Sequence, residues 1–148
     1  MPHPADASVT ALYQELILDH YRRPRNKGAL EDADAHVARK NPLCGDEIDV
    51  RLRFDGDRVA DVKFGGRGCA ISQASASMMT VLVRGKTAAE AQQLAERFGE
   101  LLRGSADAAA DARLGDARAL SGVARLPVRV PCAAMAWKAL EEGLRGRG

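Results

Sequence analysis

The sequence predicts an α+β fold, a small antiparallel three-stranded sheet packed against several helices. Two observations carry this expectation. Between Asp46 and Phe64 apolar and polar residues alternate about a central Asp55-Gly56, whereas on both sides of that stretch apolar residues recur at three- and four-residue steps. Strands joined by short turns, each with one apolar face, need cover, and the flanking helices supply it.

Taken in order, Val9, Leu12, Tyr13, Leu16, Ile17, His20 and Tyr21 describe one face of an amphipathic helix that begins at Ser8 and ends at Arg23, before Pro24. Pro24-Arg25-Asn26-Lys27-Gly28 has the composition of a loop. Residues 30–36 show no clear period, and a weaker strand is expected over Val37 to Leu43. Ile48, Val50, Leu52 and Phe54 point inward from the first clear strand. Asp55-Gly56 suits the positive φ of a tight hairpin turn, and Ala60, Val62 and Phe64 continue the inward face on the return. Gly65-Gly66-Arg67-Gly68 closes the sheet. A small-residue helix starts at Ala70 with Ile71, Ala74, Met78, Val81 and Leu82 at helical spacing and serines between them. Thr87 with Glu90 forms a capping box, and Ala91, Leu94, Ala95, Phe98, Leu101 and Leu102 make an apolar stripe that stops at Gly104. Residues 105–122 are rich in Ala, Asp, Gly and Ser, with Leu114 and Leu120 as large anchors, and are expected to be mostly solvent-facing. A last helix runs from Cys132 to Leu144, with Met135, Ala136, Ala139 and Leu140 inward.

The 148 residues, 46% of them hydrophobic, suit one domain, expected over residues 8–144 with flexible tails at 1–7 and 145–148. A net charge of +2, from interspersed basic and acidic residues, leaves no footprint for nucleic acid or an anionic membrane. An aromatic content of 4% argues against stacking platforms for bases or sugars. No stretch reaches the roughly 18 consecutive apolar residues of a membrane span, and the start lacks a signal-peptide pattern, so the expected location is the cytoplasm.

Three cysteines cannot all pair within one chain, so what matters is where each sits. Cys44 lies in the turn Pro42-Leu43-Cys44-Gly45-Asp46, Cys69 follows the glycine-rich turn and opens a helix, and Cys132 opens the last helix. At a helix N-terminus the unpaired N–H groups and the dipole favour a thiolate, the form that binds metal or attacks as a nucleophile. Asp46, separated from Cys44 by Gly45, can add a carboxylate on the same side of the turn. Were the segments to converge, three sulfurs and one oxygen would suit zinc, or iron in a cluster, with the carboxylate as the hard and weakly held member. Without a Cys-x-x-Cys pair, spacing alone leaves three unrelated buried thiols as an equal reading. His3, His20 and His36 are poor ligand candidates. Gly65-Gly66-Arg67-Gly68 lacks the lysine and hydroxyl of a phosphate loop and is expected to let backbone approach Cys69. Met78 and Met79 are expected in packing, and Trp137 in packing or a partner contact and not in catalysis.

Together, Asp19-His20-Tyr21, Pro24-Arg25-Asn26-Lys27-Gly28, Asn41-Pro42-Leu43-Cys44-Gly45-Asp46, Gly68-Cys69-Ala70-Ile71-Ser72, Arg129 with Cys132, and Ala136-Trp137-Lys138-Ala139-Leu140 resemble the IscU/NifU N-terminal family of iron–sulfur assembly proteins. The resemblance covers about residues 8–144 and is strongest to the SufU branch. Pro131 stands where IscU-type scaffolds carry a histidine, and about residues 104–122 look like the insertion of SufU proteins. Leu126-Pro127-Val128-Arg129 is a reduced form of the IscU chaperone signal, so a dedicated Hsp70-type partner is not expected.

What the resemblance implies is an IscU/SufE-like α+β fold and a zinc site formed by Cys44, Asp46, Cys69 and Cys132. The implied partner is a SufS-like cysteine desulfurase, whose persulfide sulfur Cys44 accepts when a ligand from the partner takes its place at the metal. Arg129 would stabilise the anionic sulfur or support the metal shell. The implied activity is sulfurtransferase-like, a persulfide carrier, with a downstream SUF scaffold or apo-proteins as recipients and no nucleic acid or membrane partner. An alternative is a scaffold that builds a labile [2Fe–2S] cluster on the same Cys3Asp ligands. A third reading is a structural zinc module.

Overall fold

A computed structural model describes residues 4–42 and 45–146, with residues 4–10 described by backbone alone. Helix α1 spans Pro4–Arg22, strands β1, β2 and β3 span Ala35–Asn41, Asp46–Asp55 and Arg58–Arg67, and helices α2 and α3 span Ala70–Val83 and Ala88–Leu102. A short helix α4 (Ala106–Ala109), a 3₁₀ segment (Ala112–Arg125) and helix α5 (Val130–Arg145) complete the chain. The expected α+β architecture is therefore present: β1, β2 and β3 form one antiparallel sheet in that order.

Ile48, Val50 and Leu52 on β2, with Val62 and Phe64 on β3, all lie buried on the inner face. The expected hairpin is present with its turn one residue later, at Gly56-Asp57, because Asp55 still pairs with Arg58; Gly56 takes the positive φ of 61°. Near it, Arg53 pairs with Asp61 but Phe54 pairs with Val59, leaving Ala60 as the extra residue of a bulge. Strict alternation expects Ala60 inside; the bulge moves the inward position to Val59, which is fully buried. β3 also runs on through Gly65, Gly66 and Arg67, which pair with Asp49, Ile48 and Glu47, so these glycines belong to the sheet and not to a turn. The loop after α1 closes the free side of β3: Gly28 N–H donates to the Phe64 carbonyl at 2.9 Å, and Phe64 N–H donates to that of Asn26 at 3.0 Å. Asn26 takes the left-handed conformation this requires, φ 57°, and its amide reaches Thr80 of α2.

Helix α5 crosses the sheet at Gly143, where a Cβ would stand 2.7 Å from Leu52 Cδ1. Trp137, on its other side, stacks on Phe98 of α3 with centroids 4.5 Å apart, the packing role expected of it. α2 lies within the core and is buried almost all round. Ser72, Ser75 and Ser77, which follow no apolar stripe, are buried with Met78 and Met79, and Val81 is exposed. Buried hydroxyls need partners, and Ser75 Oγ donates to the Ala133 carbonyl of α5 at 2.6 Å, tying the two helices together.

Three further expectations are corrected. α1 begins at Pro4 and not at Ser8. Leu12 and Tyr21 are exposed, so the inward face of the helix is the narrower stripe of Tyr13, Leu16, Ile17 and His20. The solvent-facing excursion expected over residues 105–122 instead packs against α1, α2, α3 and α5, burying Ala108, Leu114, Ala117, Ala119 and Leu120, with Val123 just beyond it. Small alanines fill this layer, which is why its composition looks like that of a surface loop.

Candidate metal and sulfur site

The sheet end and two helix starts meet in one place. Asp46 is the first residue of β2, Cys69 is the N-cap of α2 and Cys132 lies in the first turn of α5. One carboxylate oxygen and the two sulfurs all lie within 4.8 Å of one another. Asp46 and Cys132 are buried and Cys69 is half-buried. Cys44, two residues before Asp46, lies outside the described residues, as does His3. Arg129 is the exposed N-cap of α5, three residues before Cys132.

Local chemistry explains the convergence. Gly45 adopts φ 69°, and Gly45 N–H donates to the Asn41 carbonyl at 2.9 Å, which turns the chain from β1 back into β2. Asp46 Oδ1 then accepts the N–H of Cys69, the N-cap of α2, at 2.9 Å, tying the start of β2 to the start of that helix. Its other oxygen, Oδ2, is 3.8 Å from Cys69 Sγ. Gly68 makes this approach possible: a Cβ there would fall 2.5 Å from Asp46 Oδ1 and clash with Ser72 Oγ. Gly66 is needed as well, because a Cβ on it would collide with the Glu47 carbonyl. The glycine-rich segment thus allows the close backbone approach that the sequence suggests.

The donor set fits zinc. Zinc–sulfur and zinc–oxygen bonds of about 2.3 and 2.0 Å place tetrahedral ligands about 3.5–4 Å apart, the range of the Asp46–Cys69 separation. Thiolates in the first turns of two helices also gain from the unpaired N–H groups and the dipoles there. Asn41, which the spacing of the cysteines does not single out, sits beneath: its side-chain amide donates to Cys132 Sγ at 3.7 Å from a buried position.

The described histidines have other work. His20 is buried between Ser77 Oγ at 2.8 Å and Asp116 Oδ2 at 2.9 Å, and His36 pairs with Asp49 on the outer face of the sheet. One helical turn beyond Cys69, the Gln73 side-chain oxygen accepts from Lys27 Nζ at 2.9 Å, holding the loop after α1 against α2.

The sequence pattern of the NifU-like N-terminal domain matches residues 12–146. This chain belongs to the NifU-like N-terminal domain family. Within the family it is 46% identical over 140 residues to a Bacillus subtilis protein named zinc-dependent sulfurtransferase SufU, covering 94% of this chain and 93% of that one. It is 43% identical to a Streptococcus pyogenes protein named iron–sulfur cluster assembly scaffold protein IscU, covering 94% and 86% of the two chains. Among solved NifU-like structures, a Fervidobacterium islandicum protein described as a candidate assembly scaffold for the SUF system superposes with a TM-score of 0.82. The two are 36% identical, and the match covers 90% of this chain and 97% of that one. The resemblance read from the motifs, and the fold it implied, are thereby established.

Proposed function

We propose that this chain is a zinc-dependent acceptor of persulfide sulfur from a cysteine desulfurase, serving iron–sulfur cluster assembly in the cytoplasm. The observation that carries the reading is the meeting of Asp46, Cys69 and Cys132 within 4.8 Å, two residues along the chain from Cys44. The 46% identity to a zinc-dependent sulfurtransferase supports it. Among the described residues no helix is long and apolar enough to cross a membrane.

In this reading Cys44, Asp46, Cys69 and Cys132 hold zinc, which as a Lewis acid keeps bound sulfur in the thiolate form at neutral pH. The Cys44 thiolate attacks the terminal sulfur of the donor's persulfide. A new S–S bond forms on Cys44, and the donor's S–S bond breaks with its electron pair leaving on the donor cysteine as a thiolate. Sulfur changes hands without an external oxidant or reductant. Asp46 keeps Cys69 in place through the N–H it accepts, and the two helix starts favour the anionic forms of sulfur. Arg129, the N-cap of α5 three residues before Cys132, is the residue this reading assigns to stabilising the anionic sulfur or to supporting the metal shell.

The scaffold reading uses the same ligands, and the 43% identity to a protein named as a scaffold favours it. Pro131, where IscU-type scaffolds carry a histidine, weighs against it by removing a ligand.

Mass spectrometry of the zinc-loaded chain after incubation with a SUF-type desulfurase and cysteine tests the proposal. One extra sulfur on Cys44 is expected, with none accepted by Cys44→Ala. Undiminished acceptance by Cys44→Ala would remove Cys44 from the role.

A further inference from the structure

Beside the site, between the end of β1 and the first turns of α5, lies a groove of about 260 Å³. Val130, Pro131 and Met135 give it an apolar floor, and Arg39, Lys40 and Lys138 bring three cations to it; no carboxylate lines it. Lys138 is exposed and forms no ion pair among the described residues. Lys40 has a side chain 77% exposed and meets Glu47 only at 3.7 Å, and Arg39 meets Glu142 at 3.3 Å with both partners well exposed. Surface pairs of this kind are weak and screened, so all three cations remain available to a partner. A second groove of similar size, between α3 and α5, differs: Glu96, Glu100 and Glu141 there outnumber Arg103 and Lys138. Of the two, the first alone is lined by cations with no carboxylate among its lining residues, and so suits an acidic occupant.

Its position is also informative. Asn41 lines it and donates to Cys132 Sγ, and Pro42 lines it two residues before Cys44. A segment seated there would lie against the chain that leads into the Cys44 turn.

We propose that this groove is the docking seat for an acidic, apolar-tipped surface segment of the persulfide-donating enzyme. This rests on the sulfur-acceptor reading above. Carboxylates of the segment meet Arg39, Lys40 and Lys138 at the rim while its apolar side chains cover Val130, Pro131 and Met135. Such a rim steers encounter more than it adds affinity, so the signature is a salt-sensitive association.

The test is desulfurase turnover with increasing amounts of the zinc-loaded chain at low and high salt, for the unaltered protein, Lys40→Glu/Lys138→Glu and Lys40→Arg/Lys138→Arg. Neither lysine belongs to the metal site. The glutamate pair is expected to raise the KM for this chain about tenfold at low salt and flatten its salt dependence, leaving kcat and zinc content unchanged. The arginine pair is expected to behave like the unaltered protein. If the unaltered protein stimulates turnover and the glutamate pair matches it in KM and salt dependence, the groove is not the seat. A fall in kcat at unchanged KM would equally overturn docking. No stimulation by the unaltered protein would overturn the sulfur-acceptor reading and this proposal with it.

Discussion

A Cβ at Gly68 would stand 2.5 Å from the Asp46 carboxylate, and the Asn41 amide touches Cys132 from a strand 91 residues earlier in the chain. Both residues act on the site without being ligands. Gly68→Ala must displace Asp46 or Ser72, so zinc affinity is expected to fall by about tenfold or more, read by competition with a chelator. An unchanged affinity would show that Asp46 can yield without loss to the site. Asn41→Leu removes the amide that faces the Cys132 sulfur, and a loss of metal affinity of about tenfold is expected in the same assay. Unaltered affinity would make that contact incidental. Positions at element ends and after a glycine mark Asp46, Cys69 and Cys132 as candidates in the sequence, and these three do meet within 4.8 Å; spacing alone leaves unrelated buried thiols as an equal reading, and the family resemblance decides between the two. The glycine-rich segment is legible as a place of close backbone approach near Cys69, whereas the part of Asn41 is not, since an amide under a sulfur acquires meaning only when distant segments meet.

At the scale of elements, the hairpin, the capped helix α3 and the last helix follow from their periods, because each has one face inside and one outside. α2 and the stretch from 105 to 125 escape that logic. A helix buried all round carries its serines inside, and a layer filled mostly with alanine has too few large apolar residues to show a clear period. Asp111 pins this stretch to α3: its carboxylate takes Arg97 of α3 at 2.8 Å and Arg113 at 2.7 Å, and accepts the Arg113 N–H as the N-cap of the 3₁₀ segment. Hydrogen bonds from Arg113 and then Arg97 hold the Asp111 carboxyl well below its ordinary value of 3.8. A carboxylate lowered on folding stabilises fully above its unfolded value and loses that contribution as pH falls through the folded one. Hydrogen exchange in residues 105–125 is therefore expected to quicken relative to the sheet on acidification below pH 3.8, and Asp111→Asn should show quickened exchange already at neutral pH. Equal protection of both regions across that range would contradict the clamp.

For the molecule as a whole, the sheet and α5 form a frame that brings one end of β2 and the starts of two helices to a single point. Two thiols and a carboxylate gather there within 4.8 Å, beside the chain leading into a third thiol. A net charge of +2 on 148 residues gives no overall attraction for a polyanion, so recognition must be local to that end. In the proposed function this end accepts sulfur with its metal in place. The most direct measurement is cysteine desulfurase turnover with the zinc-loaded protein added, with zinc content determined before and after. Strong stimulation with zinc retained is the predicted result. No stimulation, together with uptake of iron and sulfide by the metal-free protein and delivery of a cluster to an apo-acceptor, would contradict it and make the chain a scaffold.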